Sequence, residues 1–231
     1  MLSLCNQWEF VPEWSEEFAA GEGTGEAVRL PHTVREIPLH YADHTSYQMV
    51  CGYRRTLCVT EEMLGKRLFL QFDGAAHIAT VYVNGKQMGH HRTGYTAFRV
   101  EITEAAVLGE ENLLAVKLDT TENPEIPPFG FVVDYLTYGG LYREVWLETA
   151  NPQYLEDVFL TTPALNQLTL RITAPDCENC VFQTELLTED GSLLLHPEIQ
   201  KRLQFLPQKG AGLVYLSCQA ENSFFLGENR W

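Results

Sequence analysis

The sequence is short of basic side chains. Sixteen lysines and arginines stand against 31 aspartates and glutamates, a formal net charge of −15. Such a surface repels phosphate backbones and anionic headgroups, so neither nucleic acid nor a membrane surface is an expected partner. Long apolar runs are missing too: no stretch approaches the roughly 18 residues of a membrane-spanning helix. The opening "MLSLCNQWEFVPEW" has neither the basic start nor the apolar middle of a secretory signal, which makes a cytoplasmic location the expectation. Six cysteines in 231 residues are too few for a disulfide scaffold, and reduced thiols are the simpler reading.

Chemistry-bearing motifs are sparse. "GEGTGE" at 21–26 has the G-x-G shape of a phosphate loop but no strand-to-helix context around it. Cys177 and Cys180 form a single C-x-x-C. Zinc would need two more ligands, for which Cys218 and His196 would have to serve, so a turn carrying two thiols is the simpler reading. His40 and His44 flank Asp43 at i, i+4 spacing, but "PLHYADHTSYQ" holds no sustained helical pattern to make them converge. His90 and His91, adjacent on a strand, point to opposite faces. No metal and no cofactor are therefore expected. No serine sits in a nucleophile elbow, and no cysteine has a recognisable activating partner. Carboxylates abound, and a pair about 5 or 6.5–9.5 Å apart could work on a glycosidic bond, but the sequence alone pairs none of them.

What the chain does hold is a succession of short β runs: "YRRTLCV" (53–59), "KRLFLQF" (66–72), "ATVYVNG" (79–85), "AFRVEI" (97–102), "NLLAVKL" (112–118) and "REVWLET" (143–149). All carry strand-favouring residues, and several alternate with period two. Asn84-Gly85 is a two-residue turn signal, because a type I′ turn needs positive φ at both positions; it predicts a hairpin over 79–91. The best helical candidate is short, "EEMLGK" (61–66). Many short strands punctuated by Gly, Pro and Asn predict an all-β sandwich or jelly roll. A domain boundary is expected at "TANPQ" (149–153). Beyond it, strands at 154–162, 167–173, 181–188, 202–207 and 212–220 suit a small immunoglobulin-like sandwich, which takes about seven strands in about 100 residues. The chain stops at Trp231 as a new apolar element begins, so this second domain is expected to be cut short.

The order of landmarks then carries a resemblance. "FLQFDGAAHIATVYVNGKQMGHHRTGYTAFRVEIT" (69–103), preceded by "VRLPHT" (28–33) and "YRRTL" (53–57) and followed by "GEENLLAVKLD" (109–119) and "YGGLYREVWLE" (138–148), resembles the N-terminal sugar-binding domain of glycoside hydrolase family 2, the β-galactosidase and β-glucuronidase family. The similarity spans residues 1–150 and continues more weakly beyond. It implies a galactose-binding-like jelly roll over 1–151, an immunoglobulin-like domain over 152–231, and a following TIM barrel. It also implies retaining hydrolysis by two barrel glutamates about 5–5.5 Å apart. A barrel takes about 250 residues and no βα repeat occurs here, so the chain alone is expected to be inactive.

By the same resemblance Asp134 reaches out of the first domain to the hydroxyls of the terminal sugar, with Phe131, Tyr135 and Tyr138 at the domain interface or the pocket. A carboxylate suits this task because it accepts two hydroxyl hydrogen bonds while charged. Tyr47 and Gln48 lie in a second loop that some members extend toward the pocket. Asn84 and Gly85 are structural, and Arg143, placed on the closing strand, is read as a brace against the neighbouring domain. The partners implied are a terminal β-glycoside, for which β-galactoside is the family's commonest case, and the chain's own barrel; the full enzyme could be oligomeric. Rival readings are a β-glucuronidase or β-mannosidase parent, a freestanding carbohydrate-binding module stacking sugars on Trp8, Trp14 or Trp146, and a scaffold with no sugar role.

Overall fold

In Ile78–Val83 the inward residues Ala79, Val81 and Val83 are fully buried, while Ile78, Thr80 and Tyr82 keep partial exposure. The same period-two alternation, dictated by the pleat, builds the rest of this all-β molecule. The computed structural model describes residues 1–36, 40, 43–127, 138–164, 167–176 and 213–219. The chain divides into two compact units, Met1–Ala150 and Asn151–Trp231.

The first unit is a two-sheet sandwich. Its strands are β1 (Leu2–Ser3), β2 (Trp8–Val11), β3 (Glu26–Val28), β4 (Val50–Cys58), β5 (Arg67–Phe72), β6 (Ile78–Val83), β7 (Lys86–His91), β8 (Phe98–Glu101), β9 (Glu111–Asp119) and β10 (Val145–Ala150). One sheet runs β3-β2-β4-β9-β6-β7 and the other β1-β10-β5-β8, with antiparallel pairings throughout. A single apolar cluster joins them: Phe10, Tyr53, Val81, Val83, Leu114, Val116 and Leu118 from the larger sheet meet Leu68, Leu70, Phe72, Val100, Val145 and Leu147 from the smaller. Each such fully buried side chain contributes roughly 1.5–3 kcal/mol. That core, rather than helix, holds the unit together.

The one α-helix described, α1 (Glu16–Ala19), is a single turn capped by Ser15, whose Oγ accepts from Phe18 N at 3.1 Å. So short a helix does not stand alone in water. It is pinned from below by Arg54, which is 6% exposed. The Arg54 guanidinium pairs with Glu9 and donates to the carbonyls of Phe18 (2.8 Å), Glu22 (2.9 Å) and Gly23 (3.1 Å). The helix expected over 61–66 is instead one 3₁₀ turn, Glu61–Met63, ended by Gly65 at φ 72°. The expected hairpin turn has φ 51° at Asn84 and φ 78° at Gly85. The strand expected from Arg143 begins at Val145, and Arg143 itself lies on the bend before it.

In the second unit β11 (Asp157–Ala164), β12 (Gln167–Thr173) and β13 (Leu213–Gln219) form an antiparallel sheet in that order. The register shifts between Thr161 and Ala164. The strands expected at 181–188 and 202–207, and the Cys177–Cys180 pair, fall outside the described residues.

Candidate functional site

Strand register decides which loops of the first unit meet. Val50 pairs with Asp119, Asp119 with Ile78, and Ala79 with His91. In the other sheet Phe72 pairs with both Val145 and Phe98. The stretches 43–49, 73–77, 92–97, 120–127 and 138–144 therefore all leave strands at one end of the sandwich. Asn84 and Gly85 sit at the opposite end. There the Asn84 side chain donates to Ala105 O and Asn112 Oδ1 and accepts from Leu113 N, each at 2.8 Å, tying the hairpin to β9.

Asp134, with Phe131 and Tyr135, lies in 128–137, outside the described residues. The stretch that returns from that segment is held tightly. Gly139 O accepts from Val34 N at 3.0 Å, and Leu141 O accepts from His32 N at 2.9 Å. Gly140 and Ala76 exchange two backbone hydrogen bonds, 3.0 and 3.1 Å. Two glycines make this approach possible. A β-carbon on Gly139 would overlap the Thr120 side chain, and Gly140, at φ 136°, would drive one into the His32 carbonyl.

Thr120, 1% exposed, links this arm to the Tyr47 loop. Its hydroxyl donates to Tyr47 O at 2.6 Å and accepts from Met49 N at 3.0 Å. Tyr47 is 1% exposed and its phenol donates to Glu36 O at 3.3 Å. Gln48 is half-buried, with its N–H on Thr45 O. The 3₁₀ turn before it, His44–Tyr47, is capped by Asp43, whose carboxylate accepts from Thr45 N at 2.9 Å.

Two histidines sit beneath these loops. His32 Nδ1 lies 2.9 Å from Tyr53 Oη. Burial pushes its pKa below the ordinary imidazole value, against the pull of Glu26. His77 is 4% exposed and its Nε2 has no hydrogen-bond partner among the described residues. Burial lowers its pKa too, opposed by Asp119 and Glu122. Gly94 leaves room for the ring, since a β-carbon there would stand 3.1 Å from Nδ1.

Arg143 requires a correction. It is not mid-strand but exposed on the bend before β10, with its guanidinium 5.5 Å from the Tyr142 ring. The tryptophans separate. Trp8 is 1% exposed, Trp146 donates to Asp73 at 2.8 Å, and Trp14 stacks on Tyr82 at 5.5 Å. His90 and His91 make separate contacts, with Thr80 at 3.1 Å and Thr96 at 2.9 Å. Among the described residues no three His, Cys, Asp or Glu side chains could hold a metal. Thr120 and His77 carry no motif of their own, so pattern reading passed over both. The usable signals were weak ones, a threonine just past a strand end and a histidine in the apolar "GAAHIA".

Residues 27–151 match the model of the glycosyl hydrolases family 2 sugar binding domain. The chain belongs to glycoside hydrolase family 2. Its first unit is therefore the sugar-binding sandwich of the β-galactosidase- and β-glucuronidase-like enzymes of that family. A β-galactosidase of Thermoanaerobacter pseudethanolicus is 36% identical over 201 residues, covering 83% of this chain and 27% of that protein. A β-glucuronidase of Bacteroides fragilis is 39% identical over 147 residues, 63% of this chain and 20% of that protein. Among solved structures, a putative β-galactosidase from Bacteroides fragilis superposes with TM-score 0.71 at 25% identity, over 95% of this chain and 35% of that one. The family 2 chain thus spans about a quarter of the length of these curated relatives.

Proposed function

We propose that this family 2 chain is the non-catalytic N-terminal part of a retaining β-galactosidase. In this reading the sandwich buttresses a catalytic TIM barrel and completes its sugar pocket through Asp134, whose carboxylate takes hydroxyl hydrogen bonds from the terminal sugar. The second unit is an immunoglobulin-like spacer. The two glutamates that break the bond belong to the barrel. The observation that carries the reading is the family match together with 36% identity to a β-galactosidase across 201 residues, a span that reaches into both units.

The described stretches on either side of 128–137 are held: the Tyr47 loop is hydrogen-bonded to the Thr120 hydroxyl, and Gly139 packs against the Thr120 side chain. The free thiols of Cys5, Cys51 and Cys58 fit the cytoplasmic location that forms part of the proposal.

A second reading, a β-glucuronidase parent, is favoured by the 39% identity to the Bacteroides fragilis enzyme. The two part in one assay. The full-length enzyme should hydrolyse p-nitrophenyl β-D-galactoside with kcat/KM at least about a hundredfold above the glucuronide, the discrimination that a site's charged and hydrogen-bonding groups supply. The reverse preference would overturn the galactoside reading in favour of the glucuronide. The 231-residue chain alone should hydrolyse neither, and turnover by it would overturn the non-catalytic assignment.

A further inference from the structure

We propose that Asn84-Gly85 is a latent deamidation site: the fold holds it unreactive, unfolding arms it, and the product no longer fits the turn it came from. It is the one Asn-Gly pair in the sequence. The reaction needs no partner but water. The Gly85 backbone nitrogen attacks the Asn84 side-chain carbonyl carbon. A new C–N bond closes a five-membered imide, and the side-chain nitrogen leaves as ammonia, carrying the proton that the Gly85 amide gives up. Water then opens the ring at one of its two carbonyls. One opening gives aspartate; the other gives isoaspartate, in which the main chain runs through the former side chain. Glycine obstructs the attack least, since it has no β-carbon beside the nitrogen.

The native turn both demands this pair and restrains it. Positive φ at both residues, 51° and 78°, is what asparagine followed by glycine supplies. The Asn84 amide is held at both ends: Nδ2 donates to Ala105 O and Asn112 Oδ1, and Oδ1 accepts from Leu113 N, each at 2.8 Å. The backbone is held as well, with Asn84 N donating to Leu113 O at 2.8 Å. Attack would make the side-chain carbon tetrahedral and swing its nitrogen out of the plane that these three bonds define. Both residues of the turn are exposed. Water and base therefore reach it, and the restraint is the bonding rather than burial.

The same bonds make the product a misfit. Two acceptors converge on Nδ2, so a carboxylate oxygen in its place sets three acceptors together. Asn112 cannot turn its own amide round to compensate. It is fully buried, its Oδ1 also accepts from Val107 N at 2.6 Å, and its Nδ2 donates to Val107 O at 2.9 Å and Glu110 O at 3.1 Å. A flipped amide would mismatch all three. Lys86, the first cation after the turn, is already on Glu104 at 3.2 Å. Isoaspartate instead adds a carbon to the main chain of a two-residue turn that pairs Val83 with Lys86. A chain that unfolds and then deamidates is thus kept from returning, so unfolding becomes one-way through chemistry.

Mass spectrometry of the tryptic peptide 68–86 tests this in the 231-residue chain, aged with reductant at mildly alkaline pH, either folded or in guanidinium. Replacement of the side-chain NH2 by OH at residue 84 should accumulate at least about tenfold faster in guanidinium, where the three hydrogen bonds no longer oppose it. The fraction that refolds on dilution should fall with time in guanidinium, in step with that mass gain. Asn84→Gly keeps the positive φ and cannot react, so its refolding should not depend on the waiting time. Asn84→Asp should unfold at a lower urea midpoint than the parent. Conversion as fast in the folded chain as in guanidinium overturns the restraint. An Asn84→Asp midpoint equal to the parent's overturns the misfit, and an equal loss of refolding with time in Asn84→Gly overturns the link between them.

Discussion

Replacing Thr120 by valine is the sharpest probe of the rim. The two side chains have nearly the same shape, so the change removes a hydroxyl while keeping a branched β-carbon. That hydroxyl serves the buried Tyr47 O at 2.6 Å and the part-buried Met49 N at 3.0 Å. The first would be orphaned where water does not reach, since Thr120 and Tyr47 are each 1% exposed, and the second would be left only partly within reach of water. An unsatisfied buried polar group costs about 1–3 kcal/mol, so two give about 2–4 kcal/mol after partial relaxation. A methyl placed where an oxygen stood 2.6 Å from a carbonyl must also shift, which makes this a lower bound. At about 2–4 °C per kcal/mol for a domain near 150 residues, Tm should fall by roughly 5–15 °C. Urea titration followed by tryptophan fluorescence suits the measurement, because Trp8, Trp14 and Trp146 all report on the first unit. Thr120→Ser keeps the hydroxyl and should cost about 1 kcal/mol for the lost methyl. If valine proved no worse than serine, the idea that Thr120 locks the two arms of the rim would be wrong.

Gly140→Ala should destabilise by about 2 kcal/mol or more, because φ 136° disfavours any β-carbon and the His32 carbonyl blocks it. Urea midpoints check it, and a cost under about 0.5 kcal/mol would contradict the close packing of the returning arm. Acidification should weaken the fold as pH falls through the unfolded histidine value of about 6.5. His32, His77 and His91 all have folded pKa values lowered by burial, so the unfolded chain binds more protons. Their contribution is intact above the unfolded histidine value, shrinks as pH falls through it, and levels off below the folded values. Urea midpoints across that range should decline, and His77→Asn should flatten the slope by up to one proton. A midpoint that rose on acidification would refute the lowering of these imidazole pKa values by burial.

Much of the fold was legible because period-two alternation survives wherever a strand has one buried face. β4, β5, β6, β8 and β9 each lie close to the runs read from sequence. The Asn84-Gly85 turn was visible because its φ values admit few other residues. β1 and β3 were not legible, being two and three residues long and too short to show a period. The 61–66 segment misled because its acidic and apolar composition favours helix, while its length cannot overcome the cost of nucleation. Arg143 reads as strand because β-prone residues run on past it, while the chain there bends and begins its strand only at Val145. The site was less legible. Thr120 meets Tyr47, and His77 bonds to Asp119, only through the register of distant strands, and no local pattern encodes a meeting of that kind. Asp134 was reached through a motif order rather than through any property of its neighbours.

The most direct measurement is kcat/KM for p-nitrophenyl β-D-galactoside in the full-length enzyme with and without Asp134→Ala. Loss of a charged sugar contact should cost about 2 kcal/mol or more, a fall of roughly thirtyfold or greater, with the unfolding midpoint unchanged. An unaltered kcat/KM would contradict the account, leaving the sandwich as a support that takes no part in holding the sugar.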